Sequence, residues 1–316
     1  MSNVTEDTSP LRLVSDSMIY GTLFVSILGF IGNFLILLIT VRTKFLRNRC
    51  NYLIGFLAFS DLIICLYLIQ LRIFMLHGVY MMKNTFCFYT SLYGLIFLNN
   101  QAGLGLIVGL DRLIAVKYPF FYNRIEDKTY FVTIFIILIS YSIVITGIGY
   151  YYSSENVITP VCMPPTAYNG PSRMIWIISN MIIVIIVILI FFITWNALRQ
   201  SIKGMASNVD KNNLNQIHRV LSSLTIIIAV YSSTWALTVL SLLVTQVFAQ
   251  GTPLAKSFEQ QLAWLVIINA STNFPIYIWR TKDYRVAFIA MICFKKENSI
   301  SKSIVIGYKN RFTTSS

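Results

Sequence analysis

The chain has 316 residues, of which 56% are hydrophobic and only 12% charged, and it carries a formal net charge of +13. A mean hydropathy of +0.68 excludes an ordinary soluble domain and indicates a chain that crosses a membrane several times. The basic excess reads as topology and contact with anionic lipid headgroups, since no aromatic-interleaved basic patch points to nucleic acid.

In chain order, residues 1–17 form a polar segment with no expected cleavable signal, because the first apolar run is itself long enough to span. Asn3-Val4-Thr5 is a sequon that makes Asn3 a glycosylation candidate. Uncharged runs suited to membrane helices follow at residues 18–41, 84–110, 131–150, 174–198, 220–248 and 261–279, and a seventh, 51–76, carries Asp61 and Arg72. Seven helices of about twenty residues or more leave only short loops and no room for a soluble catalytic domain. The expected fold is therefore an all-α membrane protein: a seven-transmembrane helix bundle over 18–280 with a short amphipathic eighth helix over 281–295. Lys282-Asp283-Tyr284-Arg285 and the apolar residues after it carry that last element, and 296–316 reads as a disordered cytoplasmic tail. Its Ser299, Ser301, Ser303, Thr313 and Thr314 are either phosphorylation sites for arrestin recruitment or unmodified.

Basic residues set the orientation. Of 25 Lys and Arg, only Arg12, Arg72, Lys83, Arg173 and Lys256 lie on the side opposite Arg112, which places the amino terminus outside and the carboxyl tail inside. Cys87 lies twenty-five residues before Arg112, roughly 37 Å of helix, so the two sit at opposite membrane faces. Cys87 and Cys162 both fall on the oxidising side, where they are expected to form a disulfide, the alternative being two free thiols. Cys50 and Cys65 lie on the reducing side or within the membrane; Cys293 is a candidate for palmitoylation or an inert thiol.

Ionisable groups inside a bilayer are costly, which makes Asp61 a functional candidate by default. Its expected partners are polar residues at the same depth: Asn33, Asn99, Asn100, Gln101, Asn269, Ser271 and Asn273. A carboxylate ringed by amides and hydroxyls holds a sodium ion or a proton, or simply ties helices together. No other cofactor and no metal centre is expected. His77 and His218 fall in different end regions with no metal-like or nucleophile-like spacing, so no enzyme is expected either.

Gly32-Asn33, Leu57-Ala58-Phe59-Ser60-Asp61, Asp111-Arg112-Leu113, Trp235 and Asn273-Phe274-Pro275-Ile276-Tyr277 occur in order and at matching depths. Together they resemble the rhodopsin-like (class A) G-protein-coupled receptors over residues 18–293. The phrasing of Arg47-Asn48-Arg49-Cys50-Asn51, Gly109-Leu110-Asp111-Arg112-Leu113-Ile114-Ala115-Val116 and Tyr277-Ile278-Trp279-Arg280 is similar to that of nematode Srsx-type serpentine chemoreceptors. The resemblance implies a receptor in the plasma membrane, that of sensory neuron cilia included, which couples an extracellular ligand to a heterotrimeric G protein. It implies that Asp111, Arg112, Trp235, Asn273 and Tyr277 form the switch, with arrestin as a further partner.

The chain also departs from that pattern. Ala236 and Leu237 follow Trp235 where a kinking proline is usual, and Pro275 sits one residue late. The fifth span has no tyrosine and no acid opens the sixth, so a lock on Arg112 relies on Asp111, which predicts appreciable ligand-free activity. Gly94 stands where amine receptors place an aspartate, which argues against amine ligands, and the seventh span has no lysine for a retinal Schiff base. Gln70, Arg72, Tyr93, Phe97, Trp176 and Trp235 are the ligand-site candidates, beside Phe74, Tyr89 and Gln246; aromatics of this kind equally face lipid or neighbouring helices. Arg72 either snorkels to the outer interface or pairs with an anionic ligand or a peptide carboxylate. The expected function is reception of a small chemosensory molecule. The alternatives are a neuropeptide receptor and, more remotely, a transporter or channel, for which internal repeats and pore-charge rings are missing.

Overall fold

The computed structural model describes residues 14–205, 233–248, 261 and 264–292. Five of its helices are long and apolar enough to cross a membrane: α1 (Asp16–Arg42), α2 (Arg49–Leu76), α3 (Asn84–Lys117), α5 (Asp127–Tyr151) and α7 (Pro171–Met205). Between them lie the short helices α4 (Pro119–Arg124) and α6 (Pro164–Ala167). The described part of the sixth span is α8 (Ser233–Phe248), and the seventh comprises α9 (264–271) and α10 (Asn273–Arg280), followed by α11 (Lys282–Ile292). Asn3, Cys293, His218, the tail serines and threonines and the first part of the sixth span lie outside the described residues.

The long helices extend beyond the uncharged runs. α3 continues seven residues past Leu110 to Lys117, and α7 begins at Pro171. An uncharged run marks only what crosses hydrocarbon, whereas the backbone ladder persists into the interface wherever nothing stops it. Here the stops are identifiable. α2 ends at Gly78, whose φ of 74° is open to glycine. Its N–H donates to Met75 O (3.0 Å) and that of Val79 to Phe74 O (2.9 Å), the Schellman closure. α4 has Pro119 at its first position, and Asn48 caps α2 by accepting from Asn51 N at 2.9 Å.

α3 is the central helix, packing against α2, α5 and α7, while α1 packs on α2 and α10. Large apolar side chains such as Phe24, Ile136, Ile143 and Leu189 are more than half exposed, whereas Asp61, Asn33, Gln101 and Asn273 are buried. That inversion of the soluble pattern suits a bundle whose outer face meets lipid. At the Cys87 end of α3, β1 (Met82–Lys83) pairs antiparallel with β2 (Ile158–Thr159), matching Met82 with Thr159. Cys87 and Cys162 form the disulfide expected from their compartment.

Candidate functional site

An apolar cavity and two polar clusters lie along the bundle. The cavity is walled by α2, α3, α7, α8 and α9 and roofed by Met163, Pro164 and Pro165. The roof is held from several directions. The disulfide fixes Cys162 to the start of α3. Asn84, buried at the same helix start, donates from Nδ2 to Ala167 O (3.1 Å), while its backbone N–H donates to Val157 O (2.8 Å). Tyr168 stacks on Trp176 with centroids 5.4 Å apart. Trp176 Nε1 donates to Asn99 Oδ1 at 3.0 Å, and burial pushes the Tyr168 phenol up from its ordinary range.

Of the ligand candidates, Arg72, Trp176 and Trp235 line this cavity, with Leu68, Leu71, Leu98, Thr238, Val239, Leu242 and Val266. Gln70, Tyr93 and Phe97 do not: the Tyr93 hydroxyl donates to Gln70 Oε1, and Phe97 meets Phe59 edge-on at 5.6 Å. They lie on the α2–α3 seam, where a polar pair and an aromatic pair join the two helices. Arg72 does not snorkel to the interface. It is 1% exposed, because its helix position points it between α2 and the cavity under the roof. Gly94 lies beneath Tyr67, and a Cβ there would fall 2.3 Å from Tyr67 Cγ. The space an amine counter-ion would need is filled by that ring.

One level inward, Asp61 accepts amide hydrogens from Gln101 on Oδ1 and from Asn273 on Oδ2, so α2, α3 and α10 meet at one carboxylate. Asn33 donates to Ala270 O at 2.7 Å and leaves its buried Oδ1 without a hydrogen-bond partner among the described residues. Asn269 accepts from Thr234 Oγ1 at 2.8 Å, and Ser271 donates to Val25 O at 3.1 Å. Asn99 and Asn100 turn elsewhere, Asn99 to Trp176 and Asn100 to Ser142. The helix carrying Asn273 breaks at Thr272, three residues before Pro275, where the missing proline N–H and the ring's crowding interrupt the ladder.

At the opposite end of α3 from Cys87, Asp111 and Arg112 are 2% and 7% exposed and form an ion pair. Asp111 is held by more than Arg112. Its Oδ1 accepts from Tyr122 Oη (2.9 Å) and Tyr130 Oη (2.7 Å), while Oδ2 takes Arg112. Burial, first, and the neighbouring Asp111 carboxylate push the Tyr122 phenol up, keeping it a donor. Arg49 organises this corner: it donates to Asp127 and to the carbonyls of Tyr122 and Ile125, and its guanidinium lies 5.1 Å from the Tyr122 ring centre. Tyr277, one turn after Asn273, is buried 5.6 Å from Tyr284, whose hydroxyl meets Thr40 Oγ1 at 2.9 Å. Tyr122, Tyr130, Arg49, Asn84 and the Met163–Pro165 roof are neighbours of the candidate residues that the sequence did not single out as site residues. Arg49 registered there only as an inner-side charge and as part of the phrase Arg47-Asn48-Arg49-Cys50-Asn51.

The family model described as serpentine type 7TM GPCR chemoreceptor Srsx matches residues 26–292. Among curated proteins, the chain is 24% identical to cannabinoid receptor 1 of Xenopus laevis over 330 aligned residues, 97% of this chain and 68% of that receptor. It is 50% identical over 44 residues to neuropeptide Y receptor type 5 of Sus scrofa and 48% over 44 to that of Rattus norvegicus, each match covering 14% of this chain and 10% of the relative.

Proposed function

Since the chain belongs to the serpentine type 7TM GPCR chemoreceptor Srsx family, and so is a multi-pass G-protein-coupled receptor, we propose that it is a plasma-membrane chemoreceptor for a small extracellular molecule. The observation that carries this reading is the roofed apolar cavity with Trp235 in its wall. Counted as space open to water centres, it holds about 30 Å³, two or three times what one water needs, so a ligand must part its walls to enter. Contacts that the ligand makes only with the parted walls would favour that arrangement of the helices.

The polar contacts give that shift a route. Thr234, next to Trp235, donates to Asn269, and Asn273 one turn on holds Asp61. Movement of Trp235 would thus bear on the Asp61 level, and from there on the depth of α10 that carries Tyr277. At the inner end, release of Arg112 from Asp111 would present its planar donors to backbone carbonyls of a G protein. Residues 1–17 would lie outside, and arrestin would engage the phosphorylated tail. A sodium ion or a proton at Asp61 would favour the resting packing: Asp61 supplies the charge and Asn33 Oδ1 a free acceptor oxygen, the donor set a hard cation takes.

A second reading, a neuropeptide receptor, draws on the 44-residue match to neuropeptide Y receptor type 5. The test is G-protein recruitment in cells expressing the chain, challenged with a volatile and metabolite panel and with a peptide panel, using Arg112→Ala as control. A small-molecule response lost in Arg112→Ala supports the chemoreceptor reading, and a response to peptides alone replaces it with the second.

A further inference from the structure

The cavity is supplied with donors and short of acceptors. Arg72 is 1% exposed and lines it, yet its Nη1 has only the thioether of Met75 at 3.1 Å, and its Nε has no hydrogen-bond partner among the described residues. A thioether sulfur is a weak acceptor and leaves the charge uncompensated. No ion pair among the described residues includes Arg72. Trp235 Nε1, a donor without acceptor capacity, is likewise buried without a partner among the described residues. Trp176 Nε1 donates to Asn99 Oδ1 at 3.0 Å, and Thr238 Oγ1 donates its proton to Thr234 O at 2.9 Å, which leaves the Thr238 oxygen as the one neutral hydroxyl acceptor of the wall. The rest of the lining is aliphatic, aromatic or proline.

A buried guanidinium is costly unless an anion or several acceptors meet it, and its planar fork suits a carboxylate in two-pronged contact. Extending the reading of this cavity as the ligand site, we propose that its ligand is a small carboxylate with a compact apolar body. The carboxylate sits on Arg72, with the indole N–H of Trp235 as a further donor, and the body lies among Leu68, Leu71 and Leu98. This assigns charge to the ligand where the Tyr67 ring over Gly94 leaves no place for an acidic partner to an amine. It also couples recognition to the switch, since one of the two unsatisfied donors belongs to Trp235.

The test uses the full chain, purified in lipid nanodiscs, with calorimetric binding of octanoate and benzoate against their methyl esters and the corresponding alcohols. The expected result is that at least one acid binds and that its ester and alcohol bind on the order of ten- to a hundredfold more weakly, as for loss of a charge-assisted contact. Arg72→Gln should bind acid and ester alike, and Arg72→Lys should keep part of the preference; thermal melting of each variant checks that it is folded. Binding by neither acid, equal binding of acid and ester to the native chain, or a preference that survives in Arg72→Gln overturns the proposal. So does binding confined to peptides with a free carboxyl terminus. Guanine-nucleotide exchange on added G protein is read in parallel. Acid binding without any change in exchange supports the carboxylate site and counts against the activation reading, whereas exchange driven by neutral molecules with no acid binding does the reverse.

Discussion

The two phenols on Asp111 make a prediction whose size follows from the contacts. Tyr122→Phe and Tyr130→Phe each delete one hydroxyl, at 2.9 and 2.7 Å from Asp111 Oδ1, and keep the ring that packs under Arg49. A hydrogen bond to a charged, buried partner contributes about 1.5–3 kcal/mol. Only the part lost on activation counts; taking half gives about 1 kcal/mol, or roughly a fivefold shift toward the state with Arg112 released. Because both hydroxyls share one oxygen, the double variant should fall short of the product of the single effects. The assay is ligand-free guanine-nucleotide exchange in membranes, normalised to receptor at the surface, with Arg112→Ala setting the floor. Exchange that stays at the native rate in both single variants and in the double variant would refute the idea that these phenols hold the resting state. The same contacts imply that the native chain is quieter without ligand than an Asp111–Arg112 pair alone would allow.

Three further outcomes are expected. Cys87→Ser with Cys162→Ser opens a loop of 75 residues, about 4 kcal/mol in chain-entropy terms, and frees the roof; surface expression and ligand affinity should both fall, and unchanged affinity in the surviving surface fraction would show that the roof does not shape the site. Gly94→Ala drives a methyl to within 2.3 Å of Tyr67 Cγ, so the melting temperature in nanodiscs should drop by an amount matching about 1–3 kcal/mol, with partial recovery on adding Tyr67→Leu. Asp61→Asn should abolish any dependence of ligand affinity on sodium chloride that potassium chloride does not reproduce; sodium sensitivity that persists in this variant would place the ion elsewhere.

Much of the bundle was legible because the bilayer imposes a one-dimensional rule: about twenty uncharged residues mark a crossing, and basic residues mark the inner side. That rule, applied to residues 18–41 through 174–198, anticipated the five long helices, and compartment logic paired Cys87 with Cys162. Helix ends were less legible, since α3 continues to Lys117 through residues that carry charge but lie outside hydrocarbon.

Which polar residues meet was decided by rotation about helix axes. Asn99, Asn100 and Gln101 are consecutive, and each points about 100° from the next; the sequence offered all three to Asp61, and the packing of α3 gives it Gln101 while sending Asn99 to Trp176 and Asn100 to Ser142. Among the outer candidates the same rotation divides Arg72, which faces the cavity, from Gln70, which faces Tyr93. The sequence by itself determined that this chain spans a membrane several times and which rare polar residues a bilayer would tolerate only for a reason, because transfer energies depend on composition along the chain. Only the tertiary structure decided that Arg72 is buried under a roof of Met163, Pro164 and Pro165, and that two tyrosines from beyond the end of α3 hold Asp111. Those contacts join residues far apart in sequence, and their geometry is set by how the helices pack against one another.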